Sequence, residues 1–88
     1  MFEWNEAKNQ TNIAKHDVSF DEAKLAFGDQ GFLVEIDVKH STEDETRYFL
    51  YGDTGRGILT VRFTMREGSV RIIGAGYWRE GRRKYEQG

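Results

Sequence analysis

The sequence predicts an α+β domain in which two N-terminal helices pack on an antiparallel meander that ends in a short C-terminal helix. Three observations predict it. Polar capping residues open two segments before residue 28. From Phe32 the apolar period changes to the two-residue alternation of strands. Beyond Trp78 the chain turns basic and helix-favouring despite Gly81. Helices followed by a run of strands make an α+β order.

Each element has its own signal. Phe2-Glu3-Trp4 alternates as a short edge strand does. Asn5 reads as the N-cap of a helix to about His16, with Glu6 in the first turn and Lys15 and His16 in the last, the charge order a helix dipole favours. Ser19-Phe20-Asp21-Glu22 is a capping box that opens a helix to about Phe27, ended by Gly28-Asp29-Gln30-Gly31. Phe32 to Asp37 and Arg47 to Tyr51 read as strands around a polar loop, Lys39 to Thr46. Ile58 to Met65 alternates, with Leu59, Val61, Phe63 and Met65 on one face and Thr60, Arg62, Thr64 and Arg66 on the other. Glu67-Gly68-Ser69 is a tight turn, Val70 to Ala75 the returning strand, and Trp78 to Glu86 the last helix. One sheet face belongs to the helices and the other to solvent or a partner.

Eighty-eight residues make one domain, residues 1–88, with a small core. Aromatic side chains must fill much of it, and Phe2, Trp4, Phe20 and Phe27 are its expected members. The chain has no cysteine, so disulfides and thiolate metal sites are excluded. No stretch reads as a signal peptide or a membrane span, which predicts a soluble cytoplasmic protein without membrane contact. The net charge of −2 hides a segregation. Residues 1–55 carry twelve acids and five bases, whereas Arg56 to Gly88 carries eight bases and three acids. That imbalance predicts late-chain guanidinium groups converging on one exposed patch suited to a polyanion.

An ordered set of residues spans nearly the whole chain. It runs Phe2, Trp4, Asn5, Lys8, Asn12, Lys15, His16, Val18, Ser19, Phe20, Glu22 and Ala23, then His40, Ser41, Glu45, Arg47 and Gly52. Arg71-Ile72-Ile73 and the tail Arg82-Arg83-Lys84-Tyr85-Glu86 complete it. The set resembles the BrnT toxins, the ribonuclease half of a bacterial type II toxin–antitoxin pair. The resemblance implies a RelE-like fold, metal-independent RNA cleavage with no cofactor, and neutralisation by a ribbon-helix-helix antitoxin. It also implies contact with operator DNA only through that antitoxin. One departure stands out. Family members usually read Ile-Ile-Ser-Ala-Arg after the last strand, whereas Gly74-Ala75-Gly76 follows Ile73 here. Either catalysis is weakened, leaving a binding partner or co-repressor of the antitoxin, or Arg79 takes the missing arginine's place.

Metal-free RNA cleavage needs acid–base groups and a cationic clamp for the phosphate. Two histidines without metal-ligand spacing leave no metal site to predict. Arg71 could share a sheet face with Arg62 or Arg66, as a forked phosphate clamp or as arginines that merely solvate that face. Arg79, Arg82, Arg83 and Lys84 interleave with Trp78 and Tyr85, a composition suited to single-stranded RNA or to a solvated chain end. Lys15 and His16 are either dipole partners of the first helix or reacting groups, since an imidazole titrates near pH ~6.5. The candidate catalytic set is thus Arg71, Lys15, His16, Arg79 and Tyr85, and the candidate RNA-binding set is Arg66, Arg82, Arg83 and Lys84. Trp78 reads rather as a core anchor. Adjacent His40 and Ser41 point apart on an extended chain, so they make no nucleophilic pair. Glu45 and Arg47 read as a structural ion pair.

Overall fold

The computed structural model describes residues 1–88. In chain order the elements are β1 (Phe2–Glu3), α1 (Glu6–His16), α2 (Phe20–Phe27), β2 (Leu33–Ile36), β3 (Arg47–Asp53), β4 (Ile58–Arg66), β5 (Ser69–Gly76) and α3 (Arg79–Gln87). The sheet order is β1-β5-β4-β3-β2. β2 to β5 form the antiparallel meander, and β1 adds to β5 in parallel, pairing Phe2 with Val70 and Glu3 with Arg71. No helix is long and apolar enough to cross a membrane.

The caps act as the sequence predicts, with one exception. Asn5 accepts the Lys8 backbone N–H at 3.1 Å, and Ser19 accepts that of Glu22 at 3.0 Å. The Glu22 carboxylate, however, does not return to the Ser19 amide. It accepts the Tyr77 hydroxyl at 2.5 Å and an Arg56 N–H at 3.1 Å, tying α2 to the far end of β5. Between β4 and β5 the turn is the two residues Glu67 and Gly68, both at positive φ (52° and 82°), the backbone that matches strand twist in a tight hairpin.

The core lies on one sheet face. Leu50, Leu59, Val61, Phe63, Ile72 and Ala75 meet Phe20, Ala23 and Ala26 of α2 there, with Val18 from the short link before it. α2 sits close because Gly52 bears no side chain: a Cβ there would fall 2.3 Å from the Ala26 carbonyl oxygen. Phe2, Trp4 and Phe27 are partly buried against this core.

Two arrangements differ from the sequence expectation. Helix α1 packs on the sheet at β5, but through a polar face, its buried residues being Asn9 and Asn12. Asn12 Nδ2 donates to the carbonyls of Ala75 and Val18, both at 2.9 Å, and its Oδ1 accepts the Ala75 N–H at 3.2 Å. The amide side chain thereby completes the edge of β5 beyond the reach of β1. The second sheet face is also not left bare, since α3 packs on β3 and β4 there. Gly81 permits it: a Cβ would fall 1.9 Å from Thr60 Oγ1.

Candidate nucleic-acid interface

Beside α3, the second face carries Arg62, Arg66 and Arg71 around the buried Thr64. Arg71 stands opposite Thr64, with Arg62 and Arg66 two residues to either side along β4. Arg71 is therefore on the same face as both. Its guanidinium is held by Glu3 at 2.9 Å, the residue beside it on β1. Arg66 forms no ion pair and stands exposed near the hairpin.

A cleft of about 280 Å³ runs between α1 and this face. Its walls are Lys8, Thr11, Asn12, Lys15 and His16 from α1 and Arg62 from β4, over Ala7 and Ile73. Spacings of three and four residues set Lys8, Asn12 and Lys15 on one helix face, and the Asn12 bonds fix that face against β5. No carboxylate lines the cleft. None of Lys8, Lys15 and Arg62 forms an ion pair, and Arg62 Nε is buried with no hydrogen-bond partner in the chain. A site with three cations and no acid selects anions.

Trp78 adjoins the cleft at His16. Its ring meets the His16 imidazole edge to face, with centroids 5.2 Å apart, and remains 38% exposed. It also lies over Gly76, where a Cβ would fall 2.4 Å from the indole. Beyond it is a second hollow, also about 280 Å³, lined by Arg56, Gly57, Tyr77, Trp78, Arg79 and Arg82. Arg79 opens α3, whose N-cap Trp78 offers no side-chain acceptor to the first-turn N–H groups. Arg79 has no ion pair, whereas Arg56 pairs with Glu22 and stacks over Tyr77 at 4.8 Å. Burial, then the bond to Glu22, pushes the Tyr77 hydroxyl pKa up.

The candidates from the sequence divide by position. Lys15 and His16 line the first cleft, and Arg79 lines the hollow across Trp78. Arg82, Arg83 and Lys84 lie along α3, engaged with Glu86 (3.1 Å), Glu80 (2.6 Å) and Glu35 (2.6 Å). Tyr85 is six residues from Arg79, about 9 Å along the helix axis, and donates to Asp29 at 2.6 Å. That bond pushes the phenol pKa up, while the Asp53 amide, then Tyr85, holds the Asp29 carboxyl down. Lys8, Asn12 and Arg62 also line the cleft; of these the sequence offered only Arg62 as a possible site residue, beside Arg71 in a phosphate clamp. Lys8 and Asn12 were visible as members of the N-terminal pattern, and Arg62 as a polar-face residue of β4.

Other candidates have structural partners. His40 bonds Asp37 at 2.8 Å, Ser41 Oγ accepts the Arg47 N–H at 2.8 Å, and Glu45 pairs with Arg47 at 3.2 Å. No group of three His, Asp or Glu side chains is placed to hold a metal ion.

A family model described as "Ribonuclease toxin, BrnT, of type II toxin-antitoxin system" matches residues 4–81. No curated protein matches the chain closely enough to count as a relative.

Proposed function

The chain belongs to the BrnT family of type II toxin–antitoxin ribonuclease toxins, and on that premise we propose that it cleaves RNA without a metal ion in the cleft between α1 and the open sheet face. The family implies RNA as substrate and an antitoxin protein as partner. The carboxylate-free wall of Lys8, Lys15, His16 and Arg62 beside Trp78 carries this reading.

In the reaction a ribose 2′-oxygen forms a bond to the adjacent phosphorus and the bond to the 5′-oxygen breaks. His16 takes the 2′-hydroxyl proton. Lys15 offsets the charge that grows on the non-bridging oxygens and Arg79, across Trp78, meets the neighbouring phosphate; a solvent water gives a proton to the departing 5′-oxygen while His16 returns the one it took to solvent. Trp78 offers a ring for a base to stack on. Arg66 and Arg71 extend the anion path along the sheet, and Arg82, Arg83 and Lys84 extend it along α3. With Tyr85 committed to Asp29, its part is to hold α3 in place. The partner is a ribbon-helix-helix antitoxin whose acidic or amphipathic segment covers the cleft, and operator DNA is reached only through it. The protein acts in the cytoplasm.

The test is digestion of RNA by the pure protein in EDTA. The expected result is cleavage by wild type, and at least about a hundredfold slower cleavage by His16→Ala and Lys15→Ala, of the size general acid–base groups contribute. A second reading rests on Gly76, whose position is roofed by Trp78 instead of bearing the arginine usual in the family. Intact RNA from a folded wild-type protein that still binds its antitoxin would favour that reading, a non-catalytic co-repressor.

A further inference from the structure

The geometry points to Arg62 as the phosphate-binding guanidinium of the cleft, seated in the space that Gly74 leaves free. Arg62 stands opposite Gly74 on β5 and Phe49 on β3, so no carboxylate flanks it on either neighbouring strand. Its Nη2, Nε and Cζ lie 2.9, 3.1 and 3.4 Å from where a Cβ of Gly74 would sit. The guanidinium thus occupies space that any other residue at position 74 would claim. Its neighbour in the cleft wall is α1, with Lys8 and Lys15.

Nothing in the fold needs a cation there. Of the eight basic residues from Arg56 onward, Arg56, Arg71, Arg82, Arg83 and Lys84 have carboxylate partners, while Arg62, Arg66 and Arg79 have none. Arg66 is exposed, but Arg62 is only partly so and its Nε is sealed from solvent without an acceptor. A guanidinium with its Nε sealed from water, sharing a cleft wall with two lysines and no carboxylate, is unfavourable by itself, because a buried donor is left unmatched and like charges repel. An anion with two acceptor oxygens removes both penalties, since the guanidinium fork fits a phosphodiester. Position 76 cannot supply the same interaction, because Trp78 covers it.

This inference rests on the ribonuclease reading for the identity of the anion, and its test separates the two. Binding of a fluorescein-labelled 2′-O-methyl RNA oligonucleotide, which cannot be cleaved, is followed by anisotropy over a salt series. Thermal melting and digestion of ordinary RNA are measured on the same proteins. Arg62→Met keeps the stem and removes the charge. It is expected to bind about tenfold or more weakly, with a salt slope shallower by about 0.7 for each phosphate no longer neutralised, and to melt at or above the wild-type temperature. Gly74→Ala leaves the charge but displaces the guanidinium, and the same direction of change in binding is expected. It carries the test if Arg62→Met does not fold. Unchanged affinity and slope in a folded variant overturn the inference, with wild-type cleavage leaving the ribonuclease reading intact. Weakened binding by the variants, with no cleavage even by wild type, upholds Arg62 and overturns the enzyme. No wild-type binding overturns both.

Discussion

Asn12 shows how a single polar residue can set the place of a helix. Its amide meets the Ala75 N–H and C=O together, as a neighbouring strand would, and reaches the Val18 carbonyl besides. All of this is buried. Asn12→Ala leaves buried backbone groups without partners and is expected to lower unfolding free energy by about 3 kcal/mol, measured by urea denaturation. The sequence displayed the helix and both its ends but not this role. Periodicity identifies apolar faces, and α1 buries a polar one. The Ser19–Glu22 capping box was equally half legible. The Ser19 bond follows from local spacing, whereas the diversion of Glu22 to Tyr77 and Arg56 depends on residues far along the chain.

Helix α3 makes the same point for a whole element. Gly81 argues against a helix on propensity, yet it is the residue that lets the helix dock on Thr60 and Tyr51. Gly81→Ala improves the isolated helix by about 1 kcal/mol and is nevertheless expected to destabilise the protein, because the added methyl meets the sheet. A lower melting temperature checks this; a higher one contradicts it. Docking of α3 also depends on Lys84 donating to Glu35 at 2.6 Å. That bond, followed by the one from Tyr51, holds the Glu35 carboxyl below its ordinary value of 4.5. A depressed carboxyl contributes stability that is present above pH 4.5 and is lost as pH falls through its folded value. Glu35→Gln should therefore reduce stability at pH 7 and flatten the acid limb, as read from urea melts at several pH values. The meander itself was legible, since alternation and the Glu67-Gly68 turn fix it locally. The parallel pairing of β1 was not, because it joins residues 68 positions apart.

Across the molecule, the charge segregation seen along the chain is largely folded onto itself. Early acids meet late bases in Glu3–Arg71, Glu22–Arg56 and Glu35–Lys84, while Glu80 and Glu86 engage Arg83 and Arg82 within α3. The late arginines accordingly do not form the anion site by themselves. Among the late bases Arg62, Arg66 and Arg79 remain unpaired, and Lys8 and Lys15 from the acidic half of the chain join Arg62 in the cleft. Linear charge counting could find the basic tail, but only the docking of α1 on β5 brings Lys15 and His16 to Arg62 and Trp78. The most direct test of this account is the map of amide chemical-shift changes in the ¹⁵N-labelled protein as a non-cleavable single-stranded RNA is added. The largest changes are expected at Lys8, Lys15, His16, Arg62, Gly74 and the Gly76–Arg79 segment, with little at β2. Changes centred on β2 and the exposed side of α2, with the cleft silent, would contradict it.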